Sequence, residues 1–414
     1  MTKEEIKALV REKLSAKRII LFGAGVVAEE FYKEHKDKLN ISHCVSNLEK
    51  EWGEAAFLGE LDVRRYCKED LQENDYIVVC GPKVFGGIEL QLAKDGLEMY
   101  ADFVESGIAK VIFSGKKIAF FYGRCGIRDL RLSLITVPAF VEEYASIYKM
   151  AKSEDVLVKD RRTNYLVNLC DLYVYAPMMH ERTKSLFIKP EDLPADCRII
   201  SVSSLVMPIY WPQIETRVDV YNEYYMHPYM IKKDLNFSHT HYLRADLNIN
   251  KMVLEGKTTG QIVEALSSAD YYSTQFLHRS LRVALRMLDV PEMDVDVKIA
   301  DYIRENYTKV KLHQNFLHPN KSVIWEYVRR FLKVINVSVE EVDRLESEAP
   351  LHIHQGGDVP IYPCVAKYLG LEFVDENTKY EILTGNGVVQ MDFRESIEHF
   401  AEYTRKAMTI MQMW

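Results

Sequence analysis

The chain has 414 residues, 48% of them apolar and 28% charged, with 53 lysines and arginines against 61 acids for a formal charge of −8. Those values describe a soluble globular chain of two or three domains, contain no run near the ~18 apolar residues a membrane span requires, and argue against a general binder of nucleic acid or anionic membranes. The seven cysteines, Cys44, Cys67, Cys80, Cys125, Cys170, Cys197 and Cys364, are an odd number without a CxxC pair, which favours reduced thiols over disulfides or structural zinc.

The opening "MTKEEIKALVREKL" alternates acids and bases at helical spacing and lacks the apolar core and cleavage site of a secretory signal, so the cytoplasm is the expected location. Next, "AKRIILFGAGVVAEEFYKEH" reads as a strand from Ile19 to Phe22, a turn Gly23-Ala24-Gly25-Val26-Val27-Ala28 and a helix. This is the G-x-G-x-x-[GA] phosphate-binding form: Gly23 permits the tight turn, Gly25 lets a pyrophosphate approach the backbone, and Ala28 lets the helix close on the strand. Strand patterns at "ISHCVS", "DYIVVCG" and "MYADFVE", with "GGIELQLAKDG" as a helix, extend it into a doubly wound parallel sheet, a Rossmann-like domain over residues 1–112.

A dinucleotide site calls for an acid about 20 residues beyond the glycines; here the second strand ends in Ser46-Asn47. This quarter of the chain resembles the small Rossmann-like domain fused to sugar-modifying and polysaccharide-biosynthesis enzymes, with Asn47 to Gly53 as its asparagine-to-glycine segment. Two roles stay open: binding of a nucleotide or nucleotide-sugar at Gly23 and Gly25, or pure architecture.

A second domain, 117–414, begins with the strand "KKIAFFYG". The following "IRDLRLSLITVPAFVEEYASIYKMA" reads as a helix broken near Pro138, with Cys125 at the junction. "LCDLYVYA" (169–176) and "CRIISVSSLV" (197–206) read as further strands, and from Tyr221 onward apolar residues recur at helical spacing. The fold class expected is therefore α/β: an N-terminal Rossmann-like parallel sheet, then a helix-rich α/β domain with a small parallel sheet.

A thiol at a helix N-terminus meets unpaired backbone N–H groups and the positive end of the helix dipole, both favouring thiolate, and Arg124 and Arg128 add to that. The same geometry suits a phosphate, a carboxylate or the developing oxyanion of acyl transfer. Far along the chain, "KVKLHQNFLHPNKSVIWEYV" concentrates His313, Asn315 and His318-Pro319 before a helix with Asn320 as N-cap. A base and its orienter drawn from distant sequence is the arrangement a strand-end nucleophile needs. His318 is the expected general base, Asn315 its orienter, and the N–H groups of Gly126 and Ile127 the oxyanion donors.

Gly123-Arg124-Cys125-Gly126, followed by Asn315-Phe316-Leu317-His318-Pro319 and by "GDVPIYPCVAKYLGLEF" (357–373), is similar to the WcbI-type polysaccharide biosynthesis family, whose motifs "G-N-C-Q", "N-H-P" and "P-x-x-P-x-V-x-x-x-L-G-L" run in that order. The resemblance covers roughly 117–373. It implies an acetyl-CoA-dependent O-acetyltransferase acting on a sugar of a capsular or surface polysaccharide. Coenzyme A is the implied cofactor, lined by Gly123, Arg124, Gly126 and Arg128, with Cys125, His318 and Asn315 catalytic. Arg124 and Gly126 replace the family's asparagine and glutamine, and Phe316-Leu317 separates Asn315 from His318. The rivals are a hydrolase using the same groups with water, and a degenerate CoA- or nucleotide-binding scaffold in a glycan-assembly complex.

His352 and His354 share one face of a strand but lack a third ligand, and His239 to His241 reads as surface loop, so no metal site is expected. "YNEYYMHPYM" (221–230) gathers aromatic rings suited to core or interface packing. A homo-oligomer is compatible with all of this.

Overall fold

The structure, a computed structural model, describes residues 1–54, 61–81, 84–150, 161–177, 188, 192–203, 205, 207–213, 246–289, 292–316, 318–351, 357–384 and 387–412. The chain forms two compact units, Met1–Arg124 with Pro138–Ile200, and Cys125–Val137 with Ser201–Trp414.

The first unit opens with α1 (Lys3–Ala16), started by a reciprocal Thr2–Glu5 capping box. Then come β1 (Arg18–Phe22), α2 (Val26–His35), β2 (Ile41–Ser46), β3 (Gly53–Glu54), β4 (Asp62–Arg65), β5 (Asp75–Val79), α3 (Phe85–Lys94), β6 (Phe103–Glu105) and α4 (Ser106–Phe113). The strands lie in the order β3-β4-β2-β1-β5-β6, all parallel except the antiparallel β3–β4 pair. Near-continuous apolar runs such as Ile19–Phe22 belong to strands covered on both faces, and these four are buried.

The glycine turn behaves as its spacing implies. Gly23 has φ of +125°, and a Cβ on it would lie 3.0 Å from the Cys80 carbonyl oxygen, so only glycine fits. Gly25 is the N-cap of α2 and faces open space, while Ala28 is fully buried.

β7 (Lys117–Gly123) leads through Arg124 into α5 (Cys125–Leu134), the first element of the second unit; the chain then returns to the first with α6 (Pro138–Glu143), β8 (Tyr144–Met150), α7 (Arg161–Leu169), β9 (Leu172–Tyr175) and β10 (Arg198–Ser201). These strands form a second sheet, β10-β9-β7-β8, in which β7 runs parallel to β8 and to β9. The α/β class thus holds, with a correction: the helical reading is right for α5 and α6, but Tyr144–Met150 is strand. Its buried residues are Tyr144 and Ile147, three apart, a spacing that mimics a helix face, and full-length pairing with β7 decides the outcome.

The division also differs from 1–112 and 117–414. Ile19, Leu21 and Val78 of the first sheet, Val10 and Leu14 of α1, Ile108 and Ile112 of α4, Ile118, Phe120 and Tyr122 of β7, and Leu166 of α7 share one buried cluster. A single core therefore spans both sheets. Asp171 reinforces it, accepting the Ile118 N–H at 2.7 Å and pairing with Lys3 at 2.8 Å and Lys7 at 2.9 Å.

The second unit continues with α8 (Leu247–Leu254), α9 (Thr259–Leu266), α10 (Thr274–Asp289), α11 (Ala300–Asn306), β11 (His313–Asn315), β12 (His318–Pro319), α12 (Lys321–Ile335), α13 (Val342–Glu348), α14 (Pro363–Leu369), β13 (Tyr380–Thr384), β14 (Gly387–Met391) and α15 (Phe393–Gln412). α12 is the buried axis, with Val323, Ile324, Val328, Phe331 and Leu332 all excluded from solvent, and it packs against α5. β13 and β14 form an antiparallel hairpin. The aromatic run 221–230, His239, His241, His352 and His354 fall outside the described residues. Among the described residues no helix is long and apolar enough to cross a membrane, and no cluster of side chains is arranged to hold a metal.

Candidate active site

Cys125 is the first residue of α5 and is partly exposed. No acid lies in the first turn of that helix, the end of a helix that carries its positive pole. Gly126 follows it, and Leu205 lies over it: an added Cβ would sit 3.4 Å from Leu205 Cδ1.

Arg128 is less available than its position in the sequence implies. Its Nε and Nη2 donate to Asp129 Oδ1 at 3.2 and 3.1 Å, and Asp129 is itself 2% exposed, its carboxyl pushed up by burial against the pull of Arg128. Gly123 ends β7, its carbonyl accepting from the Tyr148 hydroxyl at 3.1 Å, and Arg124 is exposed.

The second motif is a short antiparallel ladder instead of a loop. β11 pairs with β12, with Asn315 opposite His318 and His313 opposite Pro319. All four are buried in the second unit, with His313 and Asn315 at 0% and His318 at 1% exposure. α5 packs against β12, which brings the cysteine-bearing helix and the histidine-bearing strand together.

Three contacts fix the Asn315 amide. Oδ1 accepts the His318 backbone N–H at 3.1 Å, while Nδ2 donates to the Gly357 carbonyl at 3.2 Å and faces His318 Nδ1 at 3.3 Å. The first two leave no freedom to flip the amide, so the group facing Nδ1 is a donor. His318 Nδ1 is thereby placed to accept, and a neutral imidazole that accepts there holds its proton on Nε2. A histidine acting as base through Nε2 needs Nδ1 to donate, as the third member of a triad arranges it, so the group that faces Nδ1 bears on the choice between a base and a donor.

His313, two residues before Asn315, donates from Nε2 to the Leu205 carbonyl at 2.9 Å, and its Nδ1 has no partner among the described residues. Burial pulls it down to about 4, so it is neutral. Leu205 thereby links two motif segments, its side chain over Gly126 and its carbonyl on His313. The Met207 N–H donates to the Phe316 carbonyl at 2.9 Å and extends this contact. Asn320 is the N-cap residue of α12, as read from the sequence, but its side chain donates to the Lys311 carbonyl at 2.7 Å and makes no cap hydrogen bond.

The segment 357–359 closes the far side. Gly357 has φ of +68°, the Asp358 N–H donates to the Glu381 carbonyl at 2.7 Å, Asp358 pairs with Lys311 at 2.7 Å, and the Val359 N–H donates to the Gln314 carbonyl at 3.2 Å. These supports were not singled out from the sequence, although they lie inside "GDVPIYPCVAKYLGLEF"; a carbonyl acting through its backbone has no side-chain signature.

A family model described as "Polysaccharide biosynthesis enzyme WcbI" matches residues 122–340, just over half of the chain. The chain belongs to the WcbI family. The matched region contains the ladder, α5 and Leu205. Among solved structures, that of WcbI itself, a polysaccharide biosynthesis enzyme, matches with a TM-score of 0.52 at 15% identity, over 70% of this chain and 90% of that one. At that identity the likeness is one of fold. The WcbI structure is of the native protein without a disulfide bond between coenzyme A and one of its cysteines. No curated protein matches the sequence.

In the first unit, Gly23 and Gly25 stand at the end of β1 and the start of α2, some distance in sequence from the matched region. Asn47, at the position where a ribose-binding acid would be sought, donates from Nδ2 to Gln91 Oε1 at 2.7 Å.

Proposed function

We propose that the protein is an acetyl-CoA-dependent O-acetyltransferase of polysaccharide biosynthesis, with Cys125 as the acyl-accepting thiol and His318 as a hydrogen-bond donor held by Asn315. The observation that carries this reading is the Asn315 amide, held by two backbone groups with Nδ2 facing His318 Nδ1, next to a strand packed against the helix that Cys125 begins.

The first turn of α5 fits a thioester carbonyl. It holds a partly exposed thiol, carries no acid, and has glycine as its second residue. Acetyl-CoA supplies an acetyl group already activated as a thioester. Cys125, as thiolate, attacks the acyl carbon; the N–H groups of Gly126 and Ile127 receive the charge that collects on the acyl oxygen, His318 Nε2–H adds a donor, and the acyl C–S bond then breaks to release the coenzyme A thiolate, which takes up the proton that Cys125 gave up. The acceptor hydroxyl then takes the acetyl group from Cys125, its proton balancing the thiol released. Arg124, exposed just before α5, is a cation for the cofactor's phosphates, since Arg128 is held by Asp129.

Cys125→Ser and Cys125→Ala, assayed for acetyl transfer from acetyl-CoA to polysaccharide-precursor sugars, are expected to lose at least about a hundredfold in rate while still binding coenzyme A by calorimetry. Full activity in both variants removes the thiol from the chemistry.

A further inference from the structure

Outside the matched motifs, two cysteines of the first unit face each other. Cys170 Sγ and Cys197 Sγ are 3.3 Å apart, inside ordinary sulfur contact, although the residues are 27 apart in sequence. Each precedes a strand: Cys170 stands two residues before β9, Cys197 one before β10, and the Arg198 N–H donates to the Asp171 carbonyl at 2.9 Å, holding the two strand starts together. Cys170 is fully buried and also donates to the Val167 carbonyl at 3.2 Å; Cys197 is partly exposed, between the exposed Asp196 and Arg198.

We propose that Cys170 and Cys197 are a modification site, a dithiol that closes to a disulfide by exchange with a low-molecular-weight disulfide. The two sulfurs need to approach by little more than ~1 Å to reach the ~2.05 Å bond length. Their roles differ by exposure. Cys197 is the thiol a small disulfide reaches, and Cys170 is the resolving thiol behind it. The charges nearby agree: Cys197 is lowered from its ordinary value first by the hydrogen bond from Cys170 and then by the Lys3 ammonium, against burial and the carboxylates of Asp171 and Asp196. Cys170 is raised, by that same hydrogen bond and by burial, and holds its proton until it attacks.

The exchange balances in two displacements. Cys197 thiolate attacks one sulfur of the disulfide RSSR, forming a mixed disulfide and releasing RS⁻. Cys170 gives up its proton, attacks Cys197 Sγ and expels the second RS⁻. Two protein thiols are oxidised by two electrons, and one RSSR is reduced to two RSH.

The test is to incubate the full-length chain with oxidised glutathione, alkylate the remaining thiols and map peptides without reduction. The expected result is a Cys170–Cys197 cross-linked peptide, with alkylation lost at both positions and restored by dithiothreitol. Cys170→Ser is expected to trap a glutathione adduct on Cys197, and Cys197→Ser to leave Cys170 alkylated only after unfolding. A wild-type chain in which both cysteines stay reduced after prolonged incubation, or in which Cys197 keeps its glutathione adduct, overturns the proposal whatever the variants do.

Discussion

At the scale of single residues, the decisive group is an amide. In the proposed site Asn315 selects which nitrogen of His318 holds the proton, and that distinguishes a donor from a base. Asn315→Asp offers Nδ1 an acceptor and reverses the tautomer. If His318 serves as donor, this variant loses transfer activity by about tenfold or more and its pH–rate profile changes shape; activity at or above wild type restores the base assignment. Gly357 is the amide's outer anchor. A Cβ there would meet Leu383 Cβ at 3.0 Å and its backbone nitrogen at 3.1 Å, and the backbone is left-handed. Gly357→Ala is therefore expected to cost about 1–3 kcal/mol in thermal unfolding and to weaken transfer with it. A stable Gly357→Ala protein with unchanged rate shows that the Asn315 contact is dispensable.

At the scale of elements, α1 is pinned to the second sheet by charge. Lys3 and Lys7, whose side chains are 9% and 6% exposed, converge on Asp171, and that carboxylate is lowered below the usual range by Lys3, Ile118 N–H and Lys7 against the opposing effect of burial, the largest single influence. Asp171→Ala leaves Lys3 with only Asp196 and Lys7 with only Glu4, frees the Ile118 N–H, and is expected to destabilise the protein by about 2 kcal/mol, measured by chemical denaturation; a loss below the error of that measurement refutes the tether. Elements with their own periodic signal were legible in the sequence: β1, the Gly23 turn and α2, β2, β5, β7 and the long helices α10, α12 and α15. The misread element, β8, has a helix-like burial pattern and owes its strand state to β7, a neighbour about twenty residues away. The β13–β14 hairpin was likewise silent, since its second strand is largely exposed and lacks an apolar alternation. The family was legible because motif order survives at a distance in sequence, and the proposed roles of Cys125, Asn315 and His318 rest on those motifs. The roles of Leu205, Gly357 and the Cys170–Cys197 pair were not, because each depends on a backbone carbonyl or a spatial meeting that no local pattern encodes.

At the scale of the whole molecule, two buried groups of the second unit oppose each other in pH. Burial pushes the Asp246 carboxyl up to about 6 despite the Tyr362 hydroxyl and the N–H groups of Ile249 and Asn248. An acid raised on folding binds its proton more tightly in the native state, so its contribution is most favourable below about 3.8 and is lost as pH rises to about 6. His313, lowered from 6.5 to about 4 by burial, contributes fully above 6.5 and loses that as pH falls to 4. Each effect is worth about 3 kcal/mol. Compared with wild type between pH 4 and 6, His313→Gln should gain stability relatively as pH falls, and Asp246→Asn should lose it; parallel curves for all three proteins contradict both assignments. The path of the chain carries a last consequence. It passes from one unit to the other after Arg124, back after Val137 and over again after Ile200, so no single cut in the gene yields the two units as separate polypeptides. Removing residues 1–116 as a cassette strips Ile118, Phe120 and Tyr122 of the α1 and α4 side chains packed on them. Recombination can exchange this N-terminal segment only for one that brings a matching apolar face.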